Sequence, residues 1–202
     1  MKLSSVLTQL NLANQLTFLR LVAIPFFVIA VVQGRFVVAF ALFIGAAITD
    51  ILDGLTARWL DQGTPLGALL DPDADKLLLT AAFVLLTDWP SMFSSIPMVA
   101  RIPVWLTILV ISRDVIIVLV ALVLSLASRD ARFPPSLFGK VTTFAVSVTV
   151  GAFLAANAWH RHPAALDVLV WITLALILLS GFHYLGRTVA SIRPAGDGGS
   201  PT

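Results

Sequence analysis

Six long apolar stretches dominate the chain, and they restrict it to one kind of fold. They read 14–33, 36–60, 67–87, 102–126, 139–159 and 164–187, each near the ~20 residues a helix needs to cross a bilayer. In hydrocarbon every backbone polar group must be satisfied within its own segment, so such stretches fold as helices. The composition agrees: 58% of the 202 residues are hydrophobic and 12% charged, far from the balance of a water-soluble domain. The expected architecture is an all-α integral membrane protein, a six-transmembrane-helix bundle forming one domain over 1–192. A short interfacial segment, Met1 to Leu12, precedes it, and a Pro- and Gly-rich tail over 193–202 is expected to be disordered. No small-residue cleavage pattern follows the first apolar run, so that run is expected to be retained.

The net charge of +2 is modest and the basic residues are scattered, which gives nucleic-acid binding no support. With no cysteine, disulfides, thiolate metal sites and cysteine nucleophiles are all excluded. If the N-terminus is cytoplasmic, that side carries Lys2, Arg58, Arg129, Arg132, Lys140, Arg187 and Arg193. The other side carries Arg35, Arg101 and Arg161. The positive-inside rule favours this orientation. The site described next then faces the cytoplasm, and the protein is expected in a membrane such as the bacterial inner membrane.

Between Asp50 and Asp75 the apolar pattern is broken by six of the chain's eleven acidic residues, and every acid in the protein is Asp. Ionised carboxylates flanked by apolar segments are unfavourable unless paired with cations or a metal. At 100° per residue, Asp50, Asp53, Gly54 and Ala57 share an arc of about 100°, with Arg58 at its edge. Gly67, Asp71 and Asp75 form an i, i+4, i+8 stripe. Asp73 points off that stripe and Asp61 lies some three turns beyond Asp50. Four carboxylates are therefore expected to converge, and only Arg58 and Lys76 are near enough in sequence to offset them. An all-oxygen set of this charge suits hard ions, Mg²⁺ or Mn²⁺, which recruit phosphate oxygens as further ligands. Two such ions could clamp a transferring phosphoryl group.

The loop 61–64 leads into Pro65, with Thr64 a plausible N-cap and Pro65 the first helical residue. Small residues on the acid-bearing face admit either close helix packing or a flat ligand. Arg58 reads as a phosphate contact or as a snorkelling cation. Arg113 and Asp114 fall mid-span and point about 100° apart, so each is expected to pair with another helix, as a bridge or a substrate contact. Lys140 and Arg187 could cradle an anionic acceptor or merely follow the charge bias of that side. Asn14, Thr17 and Arg20 recur every three residues and could be interhelical hydrogen-bonding groups. A divalent-cation channel or transporter is the alternative of another class, but it would favour mid-membrane acids on several helices.

The run D-x2-D-G-x2-A-R-x8-G-x3-D-x3-D, here Asp50, Asp53, Gly54, Ala57, Arg58, Gly67, Asp71 and Asp75, resembles without departure the signature of the CDP-alcohol phosphatidyltransferase family. Further stretches resemble its phosphatidylglycerophosphate synthase and CDP-alcohol-type cardiolipin synthase branch. They are Asn11 to Arg20, Leu70 to Lys76, Ser112 to Asp114 and Gly139-Lys140. The resemblance implies a six-helix membrane enzyme, usually a homodimer, with a two-metal site near the cytoplasmic face. It implies Asp50, Asp53 and Asp71 as metal ligands and Asp75 as both ligand and general base. Gly54, Ala57, Arg58, Thr64 and Gly67, and more loosely Asn14 and Thr17, correspond to positions that bind CDP-diacylglycerol. The signature reports the donor half only. Glycerol-3-phosphate is the favoured acceptor, its phosphate met by Arg113, Lys140 or Arg187. Phosphatidylglycerol, the cardiolipin synthase acceptor, is the alternative, and inositol phosphate, serine and choline-type acceptors stay open.

Overall fold

The computed structural model describes residues 12–60, 65–90, 95–127 and 137–192, with side chains over 19–49, 76–90, 95–120, 138–184 and at 186. Six helices run in order: α1 (Leu12–Val32), α2 (Phe36–Leu60), α3 (Pro65–Leu86), α4 (Val104–Ala127), α5 (Leu137–Ala158) and α6 (Ala165–Ile192). No strand occurs among the described residues; one isolated bridge joins Thr87 and Ile102. The expected spans match these helices within a few residues, except that α6 runs five residues past position 187. Apolar length marks where hydrocarbon ends, whereas a helix can continue beyond it while its backbone bonds persist.

Local chemistry sets the helix ends. After α1 the chain turns at Gly34 with φ +69°, and the Arg35 amide donates to the Ala30 carbonyl at 2.8 Å. Glycine takes this left-handed conformation without penalty and ends helices for that reason. It also leaves room, because a Cβ there would sit 3.4 Å from the Pro97 ring. α5 ends the same way: His160 has φ +52°, and the Arg161 amide donates to the Ala156 carbonyl at 2.9 Å. Prolines 65, 103 and 163 stand at or just before the starts of α3, α4 and α6, where a missing N–H removes no helical bond.

Three connections meet at one end of the bundle. Asn157 on α5 clamps the loop between α3 and α4. Its Oδ1 accepts from the Val99 and Ala100 amides at 2.7 and 3.0 Å. Its Nδ2 donates to the Ala100 and Phe153 carbonyls. Pro97 in the same loop covers Gly34, and Trp105 at the start of α4 meets Trp171 near the start of α6, with ring centroids 5.9 Å apart. The loop 61–64 and the segment 128–136 lie outside the described residues. α1 and α5 each pack against both α2 and α3, and α4 lies on α6 and α3.

Apolar side chains occupy both the inside and the outside of the described bundle. Phe27, Phe83, Leu86, Leu106 and Leu154 fill the centre, but Thr107, Thr149, Asn157, Thr173 and Ser180 are buried with them. Outside, Phe144 and Phe182 are each 71% exposed and Trp171 63%. Apolar exposure on this scale marks a surface made for something other than water. Two helical stretches, Phe138–Ala158 and Ala165–Tyr184, are long and apolar enough to cross a membrane. The protein is membrane-associated.

Candidate functional site

The acid-bearing segments form the helices expected of them. Asp50, Asp53, Gly54, Ala57 and Arg58 occupy the C-terminal half of α2, and Gly67, Asp71 and Asp75 the N-terminal half of α3. Asn14 and Thr17 lie in the first turns of α1, and Arg187 lies inside α6 rather than at its end. The side chains of all these residues, and Thr64 altogether, lie outside the described residues. Convergence of the four carboxylates is therefore an expectation from helical register. Its setting is described: α2 and α3 share α1 on one flank and α5 on another.

From α1 comes a residue whose weight the sequence understated. Arg20 is 2% exposed, the largest fully buried side chain among the described residues. Counting 1.5 Å per residue from the loop-bearing end, Arg20 lies about 18 Å along α1, Asp50 about 21 Å along α2 and Asp75 about 17 Å along α3. This buried guanidinium lies near the depth of Asp50 and Asp75, on the helix that packs against both acid-bearing helices, and is a positive charge additional to Arg58 and Lys76. Ion pairing is what makes a buried charge tolerable. The signal was present in the sequence: Arg20 continues the three-residue stripe of Asn14 and Thr17 in an otherwise apolar span.

Arg113 and Asp114 depart from expectation. Instead of each reaching another helix, they pair with each other, Nη1 to Oδ1 at 2.6 Å. An arginine stem is long enough to fold back over the 100° between neighbours, and the pairing offsets both charges where water is scarce. Only Arg113 also reaches across, its Nη2 donating to Ser180 Oγ on α6 at 3.1 Å. Its side chain is 14% exposed, and its buried Nε has no partner among the described residues. Ser180, buried at the other end of this bond, is a contact that sequence reasoning missed. A lone Ser in an apolar helix gives no sign of what faces it.

Lys140 is exposed in the first turn of α5. No described contact joins it to Arg113, so these two proposed acceptor contacts are not brought together by what is described. The helix that carries Lys140 is held firmly. Thr142 Oγ1 donates to the Phe138 carbonyl on its own helix and lies 3.2 Å from the Leu176 carbonyl of α6. Further along, Thr149 and Thr173 share a hydrogen bond of 2.8 Å.

The candidate donors of the Asp50–Asp75 run are all carboxylate oxygens on two consecutive helices, the kind of donor a divalent ion takes, and a cysteine-free chain offers no soft competitor. Among the described residues no other group of acids and histidines forms a candidate metal site.

Comparison with known proteins places this arrangement. The family model for CDP-alcohol phosphatidyltransferase matches residues 10–179. The chain is 35% identical over 188 residues to a probable phosphatidylglycerophosphate synthase of Mycobacterium tuberculosis, covering 90% of this chain and 83% of that protein. It is 30% identical over 201 residues to the CDP-diacylglycerol–glycerol-3-phosphate 3-phosphatidyltransferase of Bacillus subtilis, covering 91% and 97%. To the CMP-forming cardiolipin synthase of Homo sapiens it is 31% identical over 205 residues, covering 91% of this chain and 64% of that protein. With the match extending over most of its length, the chain belongs to the CDP-alcohol phosphatidyltransferase family.

Proposed function

We propose that this protein transfers a phosphatidyl group from CDP-diacylglycerol to glycerol-3-phosphate, releasing CMP, within the biosynthesis of membrane phospholipids. The observation that carries the reading is the complete eight-position run from Asp50 to Asp75 on two consecutive helices that share their packing neighbours. It is supported by relatives in two bacteria that are matched over 83% and 97% of their length and whose names specify this chemistry.

In this reading Asp50, Asp53, Asp71 and Asp75 hold two Mg²⁺ or Mn²⁺ ions, which when bound offset charge on the pyrophosphate of the donor. Gly54, Ala57 and Gly67 leave room for the nucleotide on the same face, and Asn14, Thr17, Arg58 and Thr64 complete its binding. Asp75 takes the proton from the acceptor hydroxyl as that oxygen bonds to the lipid-linked phosphorus. The bond to the CMP oxygen breaks, and CMP leaves with the electron pair. Arg113 is braced by Asp114 and Ser180, and its buried Nε leaves a donor for an anionic acceptor; Lys140 and Arg187 are the further cations assigned to the acceptor in this reading. All six helices span the bilayer, with the site open to the cytoplasm, and the protein works as a homodimer in an inner membrane.

The human relative keeps phosphatidylglycerol as the second reading for the acceptor. An assay on purified protein with CDP-diacylglycerol, Mg²⁺ and radiolabelled acceptors separates the two. Label entering phosphatidylglycerophosphate is the expected result. Label entering cardiolipin alone would overturn the acceptor, and failure to release CMP with either would overturn the donor assignment.

A further inference from the structure

The loop-bearing end, about 20 Å from the aspartates along the helices, has features that phosphatidyl transfer does not use. A cleft of about 270 Å³ opens there between the α1–α2 turn and the end of α5, with Arg35 and His160 in its walls and Gly34 and Ala158 beside them. We propose that this cleft binds the phosphate headgroup of an anionic phospholipid, in the leaflet opposite the catalytic mouth.

Charge is the first argument. Arg35, His160, Arg161 and His162 are all exposed at this end, and none has an ion-pair partner among the described residues. Arg101, at the same end, is by contrast near Asp88, at 3.8 Å. The other described acid at this end is Asp167, exposed in the first turn of α6. The surface is therefore basic, with Arg35 and His160 converging on one concavity.

Backbone geometry is the second. α1 and α5 close with the same left-handed turn, at Gly34 and at His160, and each turn is followed by an arginine. The two closures hold Arg35 and His160 at the rim independently of side-chain packing.

The third argument separates a lipid from a free anion. Val37 and Val38 line the cleft and are 62% and 47% exposed, so an apolar strip leads from the basic rim down α2. Trp159, 60% exposed, precedes His160 and packs edge-on against Phe40 with centroids 5.3 Å apart. With Trp105 and Trp171 at the same end, it marks the headgroup level of the bilayer. A small anion would use only the rim. A phospholipid uses rim and strip together.

The proposal stands apart from the transferase reading, and its test does not require activity. Purified protein in neutral detergent would be offered equal amounts of phosphatidylserine and phosphatidylcholine with the same chains, and retained lipid counted by native mass spectrometry. Wild-type protein should retain one phosphatidylserine in preference, by about fivefold, the contribution of one basic side chain at an anionic surface. Arg35→Gln with His160→Asn should bring the two lipids to parity; Asn is chosen because it tolerates the left-handed backbone. Thermal unfolding in neutral detergent checks that the variant is intact. Should the double variant fail to fold, Arg35→Glu alone, which alters an exposed side chain, should abolish the preference. Equal retention by wild-type protein, or an unchanged preference in an intact variant, would overturn the proposal. Displacement of phosphatidylserine by millimolar inorganic phosphate would overturn the lipid as occupant.

Discussion

Arg20 and Asp75 illustrate how much can rest on one side chain in a medium that solvates charge poorly. Removing Arg20 as Arg20→Met should leave an uncompensated charge near the acid-bearing helices and destabilise the protein by about 3–5 kcal/mol, as broken buried pairs do. Thermal unfolding in detergent measures this, and an unchanged midpoint would return Arg20 to a packing role. Asp75→Asn keeps the shape and removes the base, so transferase turnover should fall by about 10²–10⁴-fold, the usual contribution of general base catalysis. Asp73→Asn, two residues away and off the helical stripe, should be nearly silent. Comparable losses in both variants would show that the helical phase assigned to this segment is wrong. The Arg113–Asp114 pair teaches a related lesson. Angular separation on a helical wheel does not keep neighbours apart when one of them has the reach of arginine.

Among the elements, α5 organises the others. It touches α2, α3 and α6, is tied to α6 by the Thr149–Thr173 bond, and holds the α3–α4 loop through Asn157. All the hydrogen bonds Asn157 makes are to backbone groups. Truncation to Ala would strand the buried Ala100 amide and carbonyl, at about 1–3 kcal/mol for each group left unsatisfied, and free the part-buried Val99 amide. Asn157→Ala should therefore lower the unfolding midpoint and speed hydrogen exchange at the Val99 and Ala100 amides in particular. Protection at those two amides equal to wild type would mean that the loop is held by other contacts. The Thr149–Thr173 bond should matter less, since interhelical bonds in membranes average about 0.6 kcal/mol in double-mutant cycles.

For the whole molecule, the absence of cysteine makes topology directly testable. Single cysteines at His162 and at Arg132 should react with an impermeant maleimide from opposite sides of the membrane, with Arg132 on the cytoplasmic side. Labelling of both from one side would break the six-span arrangement. Chelation of divalent ions should stop turnover, and Mg²⁺ or Mn²⁺ should restore it; activity that survives chelation would remove the metal centre from the mechanism.

The sequence by itself determined the helices and the family. Apolar length, the prolines ahead of α3, α4 and α6, and the spacing of aspartates are local properties, readable without knowing what packs against what. The family resemblance rested on the same run of fixed spacings. Only the tertiary structure decided that α1 and α5 each pack on α2 and α3, that Arg20 is buried near the depth of Asp50 and Asp75, and that Ser180 braces Arg113. It also decided that Asn157 holds the α3–α4 loop at the end where three connections meet, beside a basic cleft. These depend on which distant segments meet, and in apolar helices that look alike around their circumference, periodicity does not say which face meets which partner. Packing does, through a few buried polar groups that must find each other.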